Sequence, residues 1–284
     1  MEVVTMAIGD ITRINTNIGA FNALNSLRSI GQQLSASQLR LQTGKRINQA
    51  SDDPAGFSIA SKLTSRSRGL AVALDSVGTS INMFSIAEGS MQAIHDDLLD
   101  IRDLVLKATS DNMGTTERQT LDKRIADLTD EVTRLRNSTS FNGLNLLDGT
   151  FTNKNVLTGS ETTDVSTVSI SQDFSLASLG VTTASLAVDT VANASISLSR
   201  IDTALTSVRT SIQTVGSMSG RLQTMQANIS SAITNTEAAK SRIMDADVAA
   251  EQVNSVRLQI LQQLATAQLA QANSSPMQIM ALFR

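Results

Sequence analysis

The sequence predicts a mainly α-helical fold: a long antiparallel helical bundle or coiled-coil rod with a small β-hairpin region in the middle. Apolar residues recur at helical spacings of three, four and seven over most of the chain. Aromatic residues make up 2% of the chain, without Trp or Tyr, so the core must rely on Leu, Ile, Val, Met and Ala. Only Pro54 and Pro276 are proline, so little interrupts helix between them.

The first helix is predicted at about residues 17–42, where apolar residues recur at steps of three and four. Gly44 fits the stop signal at its C-terminal end. Residues 43–57 are rich in Gly, Asn, Ser, Asp and Pro, which predicts an extended connector. The apolar stripe of this helix consists of Ile18, Phe21, Leu24, Leu27, Ile30 and Leu34.

A longer second helix is predicted at about residues 58–110, with apolar residues seven apart as in a coiled-coil seam. About 50 residues at ~1.5 Å each would form a rod of roughly 75 Å. Residues 111–114 break this helix. Its heptad positions are Leu70, Val77, Phe84, Met91, Leu98 and Val105, flanked by Ala87, Ile94, Ile101 and Ala108.

A third helix, at about residues 116–137, carries one apolar stripe and many charges on its other faces, which indicates a helix with one solvated side. Because the turn before it is short, we expect it to pack antiparallel to the second helix. The stripe consists of Leu121, Ile125, Leu128, Val132 and Leu135.

Residues 138–190 have a different character. Asn142-Gly143 and Asp148-Gly149 are turn dipeptides, and apolar residues such as Val165 and Val168 lie among Ser and Thr. This pattern predicts one or two β-hairpins.

Helix resumes at about residues 192–236, and a charged break at 240–247 precedes a last helix at about 250–272. Apolar and Ala positions surround most of the last helix, more than one partner helix can cover. An uncovered face of this kind predicts an interaction patch. A repeated contact between copies that does not close produces a helical filament. The heptad positions of the resumed helix are Ile201, Val208, Val215, Leu222 and Ile229.

Composition excludes several classes of partner. The formal net charge is −3, and no basic patch is present, so we expect no nucleic-acid partner. No run of 18 apolar residues occurs, so we expect no membrane-spanning helix. The N-terminus has no charged segment followed by an apolar one, so no cleavable secretory signal is visible.

Catalytic and metal-binding motifs are not apparent either. Cysteine is absent, and His95 is the only histidine, with no partner at metal-ligand spacing. Asp52 and Asp53 are a conceivable acid/base pair, but beside Pro54 they more simply cap the start of the next helix. We therefore expect no enzyme activity, no metal and no cofactor.

Motifs at both ends of the chain resemble those of bacterial flagellin. Residues 42–56 read QTGKRINQASDDPAG, and flagellins read SGxRIN…DDAAG. Residues 241–247 read SRIMDAD, 259–263 read QILQQ and 269–273 read LAQAN, which match SRIxDxD…QILQQ…LAQAN. The resemblance covers residues 14–142 and 196–284 and is weak between them.

The resemblance implies a structural subunit that polymerises into the flagellar filament for swimming. Residues 1–52 and 245–284 would form the terminal-helix domain D0, and residues 53–244 the rod domain D1, including a β-hairpin segment at 142–192. The termini would be mobile in the monomer and ordered in the polymer. The implied partners are other copies of the chain, an export chaperone on the C-terminal helix, the filament cap and hook-junction proteins. The filament is extracellular, and flagellins leave through the flagellar export channel without a cleaved signal.

Two groups of residues follow from the resemblance. The first would form the subunit interface through the terminal helices, and the second would form the connector between D0 and D1. The interface group is Phe21, Leu24, Leu27, Leu34, Ile260, Leu261, Leu264, Leu269, Leu282 and Phe283, and the connector group is Gly44, Arg46, Asn48, Asp52, Asp53, Arg242, Asp245 and Asp247.

The chain departs from the family where Toll-like receptor 5 contacts many flagellins. Those flagellins read QRVRELAVQ, whereas residues 99–107 read LDIRDLVLK. Leu104 keeps the family residue, Asp100 replaces an Arg, and Arg124 falls where the family has a receptor-contacting Glu. Two reversed charges predict weak receptor activation.

Alternatives remain at this point. A hook–filament junction protein is the nearest, although such proteins generally diverge at QILQQ and LAQAN. An enzymatic or glycan-binding module at residues 145–195, or a generic coiled-coil scaffold, would explain less of the chain. The family INTN motif begins here at Ile14, so translation begins at Met6 or an extension is added on the lumen side.

Overall fold

The computed structural model describes residues 16–282, with side chains described to residue 275. It divides into two compact units. Of the described residues, we call 16–64 with 237–282 the terminal unit and 65–236 the middle unit. The elements within the described residues are α1 (Ile18–Thr43), α2 (Pro54–Ala108), α3 (Thr115–Ser138), β1 (Ser140–Phe141), β2 (Leu144–Asn145), β3 (Lys154–Leu157), β4 (Val165–Val168), α4 (Leu176–Leu179), a 3₁₀ turn (Thr183–Leu186), α5 (Val191–Met244) and α6 (Val248–Leu282).

The ends of α1 lie within one residue of the predicted ones. The side chain of Asn17 accepts a hydrogen bond from the Ala20 N–H at 2.9 Å and caps the first turn. Gly44 adopts a left-handed conformation with φ of 67°, and its N–H donates to the Arg40 carbonyl at 2.9 Å. A side chain is strained at that φ, which explains why glycine ends the helix.

Helix α2 begins four residues before its predicted start. Asp53 accepts from the Gly56 N–H at 2.9 Å, so the capping role predicted for Asp53 is confirmed. Pro54 then occupies the first helical position, where a missing N–H costs nothing.

The heptad seams form the core of the middle unit. All six heptad residues of α2 are at most 5% exposed, and the flanking Ala87, Ile94, Ile101 and Ala108 are fully buried. The five heptad residues of α5 are also buried, and both seams belong to one continuous apolar core. The predicted coiled-coil-like packing is confirmed.

Helix α3 packs antiparallel to α2, as predicted. Near the start of α3, the guanidinium of Arg118 is buried and donates to the carbonyls of Ala108 and Ser110 at the end of α2. Further along α3, Glu131 lies close enough to Asp97 on α2 for its charge to help raise the pKa of Asp97. Residues later in α3 therefore lie beside residues earlier in α2, as in an antiparallel pair.

The segment between α3 and α5 contains the two predicted hairpins. Strands β1 and β2 pair across Asn142 and Gly143, both of which have positive φ as this tight turn requires. Strands β3 and β4 also pair antiparallel, with Val156 opposite Ser166. The short helix α4 and the 3₁₀ turn were not predicted; Ser175 caps α4 and Gly180 ends it.

The charged break predicted at residues 240–247 is mostly helical. Helix α5 continues to Met244, and an ion pair between Lys240 and Glu237, three residues apart, lies on this last part. Such spacing supports helix rather than breaking it. Only residues 245–247 separate α5 from α6, and α6 extends ten residues beyond its predicted end.

One helix of the described residues is long and apolar enough to cross a membrane. The search for a run of 18 apolar residues did not predict this. Within α2, an 18-residue stretch has a mean hydropathy of 1.4, and 33% of it is buried. A helix in the core of a protein can have the same length and apolar composition. Val77, Phe84 and Met91 of α2 are fully buried among other side chains of the middle unit, which accounts for its apolar character.

Candidate functional site

Helices α1 and α6 pair antiparallel in the terminal unit. At one end, the Asn17 side-chain amide donates to the Ala272 carbonyl at 2.7 Å. At the other, Lys45 and Asp245 form an antiparallel β-bridge just beyond the helices. These two anchor points fix the register of the pair.

Among the buried and half-buried side chains of this pair, one set follows a heptad spacing on each helix. We call them the inner seam. On α6, several inner-seam residues are polar, among them Glu251, Ser255 and Gln262. The inner seam consists of Ala20, Ala23, Leu27, Ile30, Leu34, Ser37 and Leu41 on α1, and of Glu251, Ser255, Leu258, Gln262, Ala265, Leu269 and Ala272 on α6.

The opposite side of α6 carries an exposed apolar stripe. Val253, Val256, Ile260 and Leu264 recur at steps of three and four and are 71%, 44%, 52% and 55% exposed. We call these four residues the outer stripe. At 100° per residue they lie roughly half a turn away from Leu258, which is buried in the inner seam. A contiguous exposed apolar face of this kind marks an interaction surface.

The predicted interface residues divide into four groups. Phe21, Ile260 and Leu264 are exposed and available for contact with another molecule. Leu34 is buried within the terminal unit. The side chain of Leu282 and all of Phe283 lie outside the described residues. The half-buried members are Leu24, Leu27, Leu261 and Leu269.

Sequence reasoning missed part of the exposed surface. Val253 and Val256 belong to the outer stripe, and Ile18 and Val248 are exposed at the beginnings of α1 and α6. A helical projection of residues 248–272 would have shown that Val253 and Val256 share a face with Ile260.

The connector is not a simple extended segment, because hydrogen bonds join residues 44–46 to residues 243–246. We call this hydrogen-bonded pair of segments the clasp. The Gly44 carbonyl accepts from the Ala246 N–H at 2.9 Å, and the Arg46 N–H donates to the Met244 carbonyl at 2.6 Å. The guanidinium of Arg46 also donates to the Ile243 carbonyl at 2.9 Å. The connector residues on the two sides of the chain are therefore held together by backbone groups.

Asp52 closes the loop before α2, whereas both Asp52 and Asp53 were expected to cap α2. Its carboxylate accepts from the N–H groups of Asn48 and Gln49 at 3.0 and 3.1 Å. These backbone bonds hold the pKa of Asp52 below its ordinary value. The correction has a geometric reason: Asp53 already occupies the capping position of α2, so Asp52 points back to the preceding loop.

Asp247 caps α6 in the return connector. Its carboxylate accepts from the N–H groups of Ala249 and Ala250 at 3.0 and 3.1 Å. The side chains of Arg242 and Asp245 are exposed, and no ion pair joins Arg242 to either aspartate within residues 16–275. In this segment Asp247 therefore acts as a helix cap and not as an ion-pair partner of Arg242.

The predicted receptor-facing residues lie on α2 and α3 of the middle unit. Asp100 and Arg124 are exposed, whereas Leu104 is half-buried and packs against the core. The charged side chains of Asp100 and Arg124 are thus at the surface.

Side chains suited to catalysis or metal binding are few in the part of the chain that the structure describes. No cluster of three His, Cys, Asp or Glu side chains able to hold a metal ion occurs there. His95 is half-buried, with its Nδ1 3.7 Å from the neighbouring Asp96 carboxylate. A groove of about 810 Å³ runs along α5 and is lined mostly by Ser and Thr hydroxyls.

Comparison with known proteins points to one family over nearly the whole chain. The family model of the bacterial flagellin N-terminal helical region matches residues 14–152. The family model of the bacterial flagellin C-terminal helical region matches residues 198–283. Flagellin from Bacillus subtilis (strain 168) is 33% identical, across 96% of this chain and 100% of its own length. Flagellin from Halalkalibacterium halodurans is 30% identical, across 95% and 99%.

A crystal structure of Bacillus cereus flagellin is also similar. It is 27% identical, covers 57% of this chain and 93% of its own, and superposes with a TM-score of 0.48. The two terminal matches and the full-length relatives together decide the assignment. The chain belongs to the flagellin family.

Proposed function

We propose that this protein is a structural subunit that polymerises into the extracellular flagellar filament and so serves swimming motility. The observation that carries the proposal is the outer stripe of α6, four large apolar side chains exposed on a helix whose other face already packs on α1. Isolated exposed apolar residues need no explanation, but a stripe along three turns needs a partner. In a flagellin, that partner is another copy of the chain.

The mechanism is burial of the terminal helices between copies. A contact between two different surfaces of neighbouring copies does not close on itself, so it propagates as a helical polymer. In this proposal, residues 1–52 and 245–284 act as the inner domain D0 and residues 53–244 as the rod D1. The hydrogen bond from the Arg46 N–H to the Met244 carbonyl would join them.

The proposal assigns no catalytic role to the chain. The segment at 145–195, where an inserted module was considered, contributes Leu146, Leu147 and Phe174 to the buried core. This segment therefore packs against the helices of the middle unit and forms part of their shared core. The hook–filament junction alternative gains no support from the comparisons, in which the full-length relatives are flagellins.

Further partners follow from the exposed stripe. Before assembly, it would need protection, and an export chaperone that binds the C-terminal helix would provide it. Filament cap and hook-junction proteins would contact the same terminal surfaces at the two ends of the polymer. Export through the flagellar channel without a cleaved signal completes the proposal.

The test is electron microscopy of the purified full-length protein after seeding. The variant replaces Val253, Ile260 and Leu264 by Gln, and the matched control replaces the exposed Gln252 and Gln259 of the same helix by Ala. Wild-type protein and control should form long filaments, and the stripe variant should remain short or unassembled with unchanged helix content. Normal filaments from the stripe variant would contradict the proposal.

We also propose that the middle unit is a weak agonist of Toll-like receptor 5. The supporting feature is the exposed pair Asp100 and Arg124, each opposite in charge to the family residue. Restoring the charges with Asp100→Arg and Arg124→Glu should raise signalling by purified monomer. The control reverses the neighbouring exposed charges with Asp103→Arg and Lys123→Glu, which should leave it low. Strong signalling by the unmodified monomer would refute this proposal.

A further inference from the structure

The turn between β1 and β2 contains the only Asn-Gly pair in the sequence, Asn142-Gly143. Both residues have positive φ, 49° for Asn142 and 78° for Gly143. A two-residue hairpin turn requires this conformation, and Asn followed by Gly adopts it at low cost. The turn therefore uses an asparagine, a residue of limited chemical stability, directly before a glycine.

An asparagine in this position can lose its side-chain amide without an enzyme. A base removes the proton of the Gly143 N–H, and the nitrogen then bonds to Cγ of Asn142. The C–N bond of the side-chain amide breaks, and ammonia leaves with a proton supplied by water. Glycine favours the attack because it has no Cβ to crowd the nitrogen.

The product of the attack is a five-membered succinimide ring, which water opens at one of its two carbonyl carbons. One opening gives aspartate. The other gives isoaspartate, in which the backbone runs through the former side-chain carbon. Water is the only reagent consumed, and both products carry a carboxylate in place of a neutral amide.

The structure leaves the reacting groups free. Asn142 and Gly143 are exposed, and within the described residues neither the Asn142 side chain nor the Gly143 N–H makes a hydrogen bond. The neighbouring Asp148-Gly149 turn is different. There the Asp148 carboxylate accepts from the N–H and the hydroxyl of Thr150 at 2.9 and 2.7 Å, which holds it away from the following nitrogen.

Ring formation also requires the backbone of the turn to rotate, and the hairpin is short enough to allow it. Strands β1 and β2 have two residues each, and Ser140, Leu144 and Asn145 are exposed. Two strands alone are marginally stable, and exposed turns open locally at low free energy. The amide carbon and the nitrogen can therefore meet without unfolding of the middle unit.

We propose that Asn142 is a site of spontaneous deamidation, through which the β1–β2 hairpin changes with the age of the molecule. Isoaspartate adds one backbone carbon to the turn, so Phe141 and Leu144 cannot keep their present pairing. Phe141 packs against the core of the middle unit, so the change extends beyond the turn. This modification goes beyond the proposed function and does not depend on it.

The test follows deamidation in the purified, folded, full-length protein during incubation in neutral and mildly alkaline buffers. Trypsin cleaves after Arg136 and Lys154, so a single peptide, residues 137–154, reports on Asn142. Mass spectrometry with electron-transfer fragmentation locates the conversion and distinguishes isoaspartate from aspartate. Digestion at slightly acidic pH and a sample taken at time zero correct for conversion during handling.

The same peptide contains two internal controls. Asn153 has a positive φ of 50° but precedes Lys154, whereas Asn145 precedes Leu146, and its side chain hydrogen-bonds to Asp148. Asn142 should convert at least several-fold faster than either control, faster at higher pH, and with more isoaspartate than aspartate.

Two variants separate the site from the rest of the chain. Asn142→Gly keeps a residue that tolerates positive φ and removes the amide. On isoelectric focusing, this variant should lose most of the acidic band that accumulates in wild type, and Asn153→Gly should retain it.

The unfolded chain in urea provides the reference rate. Conversion of Asn142 in urea but not in the folded protein would show that the turn protects the residue and would overturn the proposal. Absence of conversion in both states, equal rates at Asn142 and Asn153, or aspartate without isoaspartate would overturn it as well.

Discussion

The terminal and middle units are built from the same heptad pattern but bury it to different extents. In the middle unit, the six heptad residues of α2 are at most 5% exposed. Among the side chains of the α1–α6 pair that the structure describes, those of Leu34, Ser37, Ser255, Leu258 and Ala265 alone are buried. The middle unit surrounds its long helices with α3, the hairpins and α4, whereas α1 and α6 mainly have each other.

This difference shows that a heptad pattern predicts which face of a helix is apolar but not what covers it. A pair of helices buries a narrow strip of surface, and helix stability comes mostly from such packing. The middle unit therefore holds together through its own core. The terminal unit leaves apolar surface that another molecule must cover.

The sharpest test of the comparison truncates one buried side chain in each unit. Phe84→Ala removes a fully buried ring from the middle unit and should lower its free energy of unfolding by about 3–5 kcal/mol. Leu34→Ala in the terminal unit should cost less than about 2 kcal/mol in the unassembled chain, because its surroundings are open to water.

Urea denaturation followed by circular dichroism measures both effects. The exposed Leu39→Ala on α1 is the control and should leave the curves unchanged within error. Equal losses from Phe84→Ala and Leu34→Ala would remove the contrast between the two units.

A second prediction concerns Gly56, in the first turn of α2 directly after the connector. A Cβ at Gly56 would lie 2.4 Å from the Asp53 carboxylate and 2.8 Å from Cδ1 of Ile47, which is buried. Gly56→Ala should therefore destabilise the clasp by about 1–3 kcal/mol, as overpacking does. Limited proteolysis should show faster cleavage at residues 44–53. Gly31→Ala, where no atom lies within 4 Å of the added Cβ, is the control.

The smallest predicted effect lies in the middle unit. Burial, and then the charges of Glu131, Asp100 and Asp96, raise the pKa of Asp97 above its ordinary value of 3.8. The neutral form therefore stabilises the fold below pH 3.8, and this contribution is lost as pH rises through the raised pKa. Asp97→Asn should stabilise the neutral-pH protein by less than about 1 kcal/mol.

Thermal unfolding of Asp97→Asn and wild type at several pH values checks this sign. The difference should be largest near neutral pH and should disappear in acid. A variant that is less stable than wild type at neutral pH would show that the ionised carboxylate is needed.

Much of the fold was predictable because local signals and packing agree. Heptad spacing placed the buried faces of α2 and α5, Gly44 ended α1, and Asn142-Gly143 formed a hairpin turn. The end of α5 was not predictable from charge alone. Lys240 pairs with Glu237 on the same helix, so charges that suggested a break lie on regular helix.

The candidate surface was only partly predictable. The sequence indicated that α6 has more apolar positions than one partner can cover, but not which of them face α1. That choice depends on the register set by Asn17–Ala272 and by the clasp, contacts between residues more than 190 positions apart in sequence. Likewise, the backbone bonds of Asp52 arise from the shape of its loop.

Hydrogen exchange measured by mass spectrometry on the unassembled chain and on filaments tests the central claim most directly. The claim is that the terminal unit is incomplete in one chain and is completed by other copies. Amides of α1 and α6 should exchange much faster than the core amides of α2 and α5 in the unassembled chain and should become comparably protected in filaments. Equal protection of the two units in the unassembled chain, with no change on polymerisation, would contradict the account.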